Sequence, residues 1–274
     1  MAPSPVLEGN QRGYVIPIGG GEDKIFDLNV LGRYVEVCGD RNAVIAIIPT
    51  ASMLEDTGSR YEEVFTELGA KKAVSLPINE REDAQRDDYL EILDSVTGIF
   101  ITGGNQLRLS TILGGTPIFQ KIRKLNACGV HVGGTSAGAA IMPEHMIAGG
   151  ATGLVPTEDG VNLAPGLGLT NSVVIDQHFN ERSRLGRLLV AVSYNPFLTG
   201  VGLDEDTSVF IGPDDVMEVV GSGGVTIIDA SDLRYSSMAA AGSGEALTLL
   251  GLKLHLLADA GRYNIKTREA FAPK

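Results

Sequence analysis

The stretch Val130-His131-Val132-Gly133-Gly134-Thr135-Ser136-Ala137-Gly138-Ala139-Ala140-Ile141-Met142 decides how the rest of the chain is read. A short apolar strand over 130–132 runs into glycines, and small helix-compatible residues follow, so the serine occupies a sharp strand-to-helix turn. Gly134-Thr135-Ser136-Ala137-Gly138 fits Gly-x-Ser-x-Gly, in which glycines flank the serine because its backbone is strained and larger neighbours would collide. Two readings fit such a turn: a nucleophilic serine lifted out of the sheet edge, or a glycine-rich helix start in which Ser136 is only the N-cap. The strand before it and the helix after it favour the nucleophile.

Outward from this turn, short apolar runs ending in Gly, Pro or Thr alternate with segments of helical period, the pattern of βαβ units. Strands are expected over 14–18, 43–48, 73–76, 98–102 and 130–132, with helices over 26–37, 59–68, 87–95, 105–113 and 117–126. A further strand, 172–176, leads into a helical segment over 181–194. From 200 to about 230, short alternating strands and turn signals at Gly212-Pro213-Asp214-Asp215 and Gly221-Ser222-Gly223-Gly224 predict a more antiparallel portion closing the sheet. The fold class is therefore α/β, a doubly wound, mostly parallel sheet in one domain spanning 1–274, with a mobile small-residue loop over 236–246.

A serine needs a base and an acid behind it. Of the four histidines, His131 lies in the strand leading to the turn, and His145 and His255 adjoin apolar segments. His178 differs, because it lies just past the carboxyl end of a strand, where open α/β sheets bind ligands. The acid is expected in Leu203-Asp204-Glu205-Asp206-Thr207, where strand alternation sends Glu205 to one face and Asp204 and Asp206 to the other. Spacing leaves the choice of side open. The Ala137 amide is a natural first oxyanion donor, and Thr102-Gly103-Gly104-Asn105-Gln106 either supplies a second or is an ordinary turn. Arg184 and Arg187 share a helical face that Arg182 reaches from the first turn, a basic cluster able to hold carboxylates or simply a solvated face paired with Glu181.

Charge and composition narrow the classes. The 274 residues carry 22 basic and 34 acidic side chains, a formal charge of -12, which disfavours nucleic acid as a partner. Cys38 and Cys128 form no metal pair or disulfide framework and are expected as buried free thiols. The start, Met1-Ala2-Pro3-Ser4-Pro5-Val6-Leu7-Glu8-Gly9, has neither a basic region nor an apolar core, and no apolar run is long enough to span a bilayer. A soluble cytoplasmic protein without membrane partners is the expectation. Ile18-Gly19-Gly20-Gly21-Glu22-Asp23-Lys24 lacks the third glycine of a dinucleotide fingerprint, and Glu22 and Asp23 would repel a pyrophosphate.

Taken in order, four segments resemble the successive signatures of the cyanophycinase family: Gly103-Gly104-Asn105-Gln106, Gly133 to Ala139, Asp176-Gln177-His178-Phe179 followed by Arg182, Arg184 and Arg187, and Gly202-Leu203-Asp204-Glu205-Asp206. The wider group includes aspartyl dipeptidase (peptidase E) and is similar in fold to the class I glutamine amidotransferases, a flavodoxin-like architecture, with serine in place of their cysteine. The resemblance implies a triad of Ser136, His178 and Glu205, oxyanion donors at Gly104 and Ala137, and a substrate pocket of Gln106, Asp176, Gln177, Arg182, Arg184 and Arg187. It implies a homodimer that needs no cofactor and no metal. Cyanophycin is a poly-aspartate backbone with arginine joined through each β-carboxyl, and family members cleave it to β-Asp-Arg dipeptides. The competing expectations are a dipeptidase of short α-aspartyl peptides and a non-catalytic binding protein of the same fold.

Overall fold

The computed structural model describes residues 3–26 and 28–273. Met1 and Ala2 of the N-terminal stretch, Asp27 within the helix expected over 26–37, and Lys274 lie outside the described residues. In chain order the first half runs β1 (Val15–Ile18), α1 (Asn29–Val37), β2 (Val44–Ile48), α2 (Thr57–Glu67), β3 (Lys72–Ser75), α3 (Asp87–Leu93), β4 (Gly98–Ile101), α4 (Gln106–Leu113), α5 (Pro117–Ala127), β5 (His131–Thr135) and α6 (Ala137–Ala140). The second half runs β6 (His145–Gly150), β7 (Val161–Pro165), β8 (Val173–Asp176), α7 (Leu185–Tyr194), β9 (Thr199–Leu203), β10 (Thr207–Ile211), β11 (Val216–Gly221) and β12 (Val225–Asp229). Short strands end the chain: β13 (Tyr235–Ser236), β14 (Leu249–Leu250), β15 (Lys253–Leu257), β16 (Arg262–Asn264) and β17 (Glu269–Phe271).

Among the described residues, nine strands form one sheet in the order β17-β16-β11-β10-β1-β5-β4-β2-β3. From β1 to β3 every pairing is parallel, and from β1 outward through β10 to β17 every pairing is antiparallel. The parallel strands read as continuous apolar runs because both faces are covered. Period-two alternation divides them: Ile45, Ile47 and Phe100 pack with Leu31, Tyr34 and Phe65 on one face, and Ala46, Ile48 and Ile101 with Ile118 and Ile122 on the other. This is the doubly wound architecture expected. Its parallel strands deliver their carboxyl ends, and the turns after β1, β2, β4 and β5, to one edge.

Five features depart from expectation. The strand over 172–176 does not join the main sheet: β8 pairs with β9 in a second, four-stranded sheet of order β15-β12-β9-β8. The segment 200–230 is correspondingly split, with β10 and β11 extending the main sheet and β9 and β12 building the second. A buried apolar run looks the same in either sheet, so sequence pattern cannot assign it. The strand expected to stop at 132 continues through Gly133 and Gly134 to Thr135, because those glycines pair on both sides, with β1 and β4. A Cβ at Gly133 would lie 2.6 Å from the Tyr34 ring, so the strand is glycine-rich by packing and not by weakness.

The stretch over 236–246, expected to be mobile, is tied down by Ser237 and Glu245, whose backbones bond Thr248 and Glu158 at 3.1 and 3.0 Å. Cys38 is buried as expected, whereas Cys128 is exposed, because it caps α5 outside the strand it was expected to precede. No helix of the described residues is long and apolar enough to cross a membrane.

Candidate active site

Ser136 follows β5 directly and adopts φ 52° and ψ −110°, outside the basins L-residues favour. The turn is held by its own backbone: the Ser136 N–H donates to the Ile18 carbonyl of β1 at 3.0 Å, and its carbonyl accepts from the Ala139 and Ala140 N–H groups at 3.0 Å. Gly138 lets α6 start hard against β4, since a Cβ there would sit 2.1 Å from the Ile101 carbonyl oxygen. The helix after the turn spans only Ala137–Ala140.

His178 arrives from the other sheet, two residues beyond the end of β8, also at positive φ, 46°. Its N–H donates to the Gly19 carbonyl at 2.8 Å. Its Nε2 lies 2.9 Å from Ser136 Oγ and its Nδ1 2.5 Å from Glu205 Oε1. A carboxylate only accepts, so Nδ1 carries the proton and Nε2 is left as the acceptor for the serine hydroxyl. Burial holds the imidazole below its ordinary 6.5; the Glu205 hydrogen bond opposes that shift, and the Arg182 and Arg184 charges add to it. The ring is thus neutral, with a lone pair toward the serine, at neutral pH.

Glu205 occupies the turn by which the chain leaves β9 of the second sheet for β10 of the first. Its two acidic neighbours are engaged elsewhere. Asp204 accepts from the Asn180 and Gly224 backbone N–H groups at 3.1 Å each and from Asn180 Nδ2 at 2.8 Å. Asp206 accepts from Asp23 N–H at 3.1 Å and from Ser222 Oγ at 2.6 Å. The side of the acidic run that spacing left open is therefore occupied by Glu205 at the histidine, with Asp204 and Asp206 bracing the loops around it.

The Gly19-Gly20-Gly21 segment, set aside as a failed dinucleotide motif, forms the wall behind this pair. Gly20 has φ 100°, and a Cβ on it would lie 2.3 Å from His178 Cε1. Gly19 N–H donates to Thr207 O, and Asp206 N–H to Gly20 O, each at 2.8 Å. The same segment delivers Glu22, 4% exposed, whose carboxylate accepts from the hydroxyls of Tyr61 and Thr135 and pairs with Lys24 Nζ at 2.9 Å. Sequence reading missed Glu22, Lys24 and Tyr61. The available signal was the glycine triplet at a strand's carboxyl end, which marks close backbone approach to any group, here an imidazole.

Beside Ser136 and His178 opens a cavity of about 340 Å³, lined also by Gly21, Gly103, Lys24 and Tyr61. Among the described residues the Ala137 and Gly104 N–H groups meet no protein acceptor. The turn after β4 borders the serine, a Cβ at Gly103 falling 3.3 Å from Ser136 Cβ. Among the described residues no group of three His, Cys, Asp or Glu is placed to hold a metal ion.

The residues expected in the substrate pocket divide. Arg187 does not present its guanidinium to an open pocket: it is 5% exposed and grips Asp176, itself 1% exposed, through Nε to Oδ2 at 2.6 Å and Nη2 to Oδ1. A guanidinium buried in the second sheet's core needs a fixed counter-charge, and Asp176 at the end of β8 provides it. Arg184 precedes α7 rather than sharing its face with Arg187. It donates to the Gln177 carbonyl and reaches Asp176 Oδ1 at 3.4 Å. Burial, then the neighbouring Arg187, pull its pKa down to about 10. Arg184 Nε and Gln177 Oε1 are buried without a protein partner, and Arg182 is exposed. Gln106 at the start of α4 spends its amide on the Ala148 carbonyl of β6 at 3.1 Å. Of the other histidines, His131 accepts from the Tyr14 N–H at 3.0 Å and stays in the sheet, while His145 and His255 lie on β6 and β15.

This arrangement has relatives. A family model described as peptidase family S51 matches residues 15–219. A cyanophycinase of Geminocystis herdmanii is 43% identical over 264 residues, 95% of this chain and 97% of its own. A cyanophycinase of Synechococcus elongatus is 40% identical, covering 94% of this chain and 81% of its own. Among solved structures, a peptidase from an acI-B1 actinobacterium superposes with a TM-score of 0.62 at 21% identity, over 90% of this chain and 98% of its own. A peptidase E protein of Listeria monocytogenes gives 0.53 at 20% identity, over 77% and 98%. The glycine-flanked serine, the sheet that carries it and the relatives agree: this chain belongs to peptidase family S51, alongside the cyanophycinases.

Proposed function

We propose that the protein is a serine peptidase that degrades cyanophycin to β-Asp-Arg dipeptides through an acyl-enzyme on Ser136. The observation that carries the reading is the unbroken relay Ser136 Oγ, His178, Glu205, with contacts of 2.9 and 2.5 Å, in a chain 43% identical to a cyanophycinase across nearly its whole length. Ser136 Oγ attacks a backbone carbonyl carbon of the polymer while His178 Nε2 takes the hydroxyl proton. Glu205 fixes the tautomer and offsets the imidazolium charge. The Ala137 and Gly104 N–H groups receive the tetrahedral oxyanion. Collapse returns the proton from Nε2 to the leaving amine and leaves an ester on Ser136. Water then gives a proton to Nε2, attacks the ester, and releases the acid and the serine hydroxyl.

Arg182, Arg184, Gln177 and Gln106 are the substrate-facing groups in this reading, with Asp176 and Arg187 holding them in place. The Arg182 and Arg184 charges that bear on His178 support it, because they put this cluster next to the imidazole that faces the serine. The working unit is one domain over 1–274, a cytoplasmic homodimer. Incubation of the purified protein with cyanophycin, with mass spectrometry of the products, tests the assignment: β-Asp-Arg from the wild type and none from Ser136→Ala is the expected result. Release from α-aspartyl dipeptides but not from the polymer would replace the substrate and keep the chemistry.

A further inference from the structure

The cavity beside Ser136 holds a fixed cation that the reaction above does not use. Lys24 Nζ lies 2.9 Å from Glu22 Oε1 and donates to the Glu22 carbonyl at 3.1 Å, with the Tyr61 ring centroid 5.3 Å away. Glu22 is in turn clamped by Tyr61 and by Thr135, the residue immediately before the serine. An ammonium carries three donors, and two are engaged here. Its side chain is still 31% exposed and lines the cavity. A lysine restrained by its carboxylate, its own loop and an aromatic face has lost its rotamer freedom before any ligand arrives, which is what makes a charged contact strong.

Arg60, exposed on α2, lines the same cavity. Glu22 is neutralised by Lys24, so the excess charge on this wall is positive, in a chain of formal charge -12. An acidic protein with a pinned ammonium and a guanidinium beside its nucleophile is arranged to receive an anion. Cyanophycin supplies one in every repeat, the free α-carboxylate of the arginine branch.

We propose that Lys24, seconded by Arg60, binds a free carboxylate of the substrate beside Ser136. This inference rests on Ser136 being the nucleophile. It adds a recognition element on the β1–α1 loop and α2, separate from the cluster at the start of α7. Its buried brace, Glu22, is a positioning residue.

The experiment uses the full-length protein, a short cyanophycin segment with its carboxylates free or methyl-esterified, and a neutral fluorophosphonate that labels Ser136. Lys24→Met is expected to raise KM for the free acid about 10- to 100-fold, the scale of one charge-assisted hydrogen bond, and to leave KM for the ester unchanged. Labelling of Ser136 should persist, and Lys24→Arg should recover most of the KM. Arg60→Gln should give a smaller rise in the same direction. Equal KM changes on acid and ester, or none, would overturn the proposal. If Lys24→Met abolishes labelling, the comparison passes to Glu22→Gln/Lys24→Met, which strands no buried charge; loss of labelling there too makes Lys24 structural and also overturns it. Failure of the wild type to label is a different result, and counts against Ser136 itself.

Discussion

Ser136 and His178, 42 positions apart and carried by different sheets, both occupy left-handed backbone conformations, and their side chains meet at 2.9 Å. Neither conformation is favourable alone, each costing on the order of 1–3 kcal/mol. They persist because the Ser136 and His178 N–H groups donate to Ile18 and Gly19, successive residues of one strand end. The end of β1 is therefore the jig on which the serine and the histidine are aligned.

Gly20→Ala tests the jig. Its Cβ would fall 2.3 Å from His178 Cε1 at a backbone φ of 100°. Turnover should drop about a hundredfold, the cost of an ångström-scale displacement of a reacting group. The melting temperature should fall by several degrees, corresponding to a loss of about 1–3 kcal/mol. Kinetics and differential scanning calorimetry on the same preparation read both, and wild-type turnover would remove the glycine wall from the account.

Glu205→Gln keeps a hydrogen-bonding group near Nδ1 but removes the charge, and its amide can force the wrong tautomer. A loss in kcat of about a thousandfold or more is expected, as for comparable triads. Asp206→Asn, whose carboxylate meets Ser222 and Asp23, should weaken the loop and spare most of the rate. Steady-state assays of the two variants side by side decide which acid serves the histidine.

The pH dependence follows from burial. Because burial is the largest influence on His178 and lowers its pKa from 6.5, the acid limb of kcat/KM should have its midpoint below 6.5. The unfolded chain binds more protons than the folded one between these two values. The stability owed to neutral His178 is thus complete above about 6.5 and declines as pH falls toward the folded-state value. A rate profile with its acid midpoint above 7 would contradict this assignment.

Arg187→Met distinguishes a brace from a substrate ligand. It leaves Asp176, 1% exposed, without its close counter-charge, holding the Gln177 backbone N–H at 3.0 Å and the 3.4 Å contact to Arg184. Stability should fall by about 3–5 kcal/mol, and Asp176→Leu/Arg187→Met should be more stable than Arg187→Met, because no charge is stranded. Chemical denaturation measures both. An unchanged denaturation midpoint with a raised KM would return Arg187 to the substrate.

Ser136 and His178 were legible as candidates in the sequence because each is marked locally: Ser136 by glycines between a strand and a helix, and His178 by its place just past a strand end. Parallel strands were legible for a similar reason, since apolar runs such as Val44–Ile48 and Gly98–Ile101 are bounded by turn residues. The acid Glu205 was legible only through the family resemblance and not from spacing, because it lies in a turn between two sheets, where strand alternation no longer governs direction. Nor was the division into two sheets: β8 and β9 are buried on both faces just as β1 is. Asp176 with Arg187, and Glu22 with Tyr61 and Thr135, are tertiary pairings. A charged residue's partner across the fold leaves no periodic trace.

The order in which the chain is made gives the strand end of β1 a second meaning. Ile18, Gly19 and Gly20 are synthesised among the first residues, but the N–H groups their carbonyls accept come later, at 136, 178 and 206, and the pairing of β1 with β10 waits for residue 211. A nascent chain long enough to display Ser136 has neither its base nor its acid. The contacts proposed to activate Ser136 are therefore incomplete in any fragment that stops short of Glu205, and the site is assembled last, where β9 leads into β10.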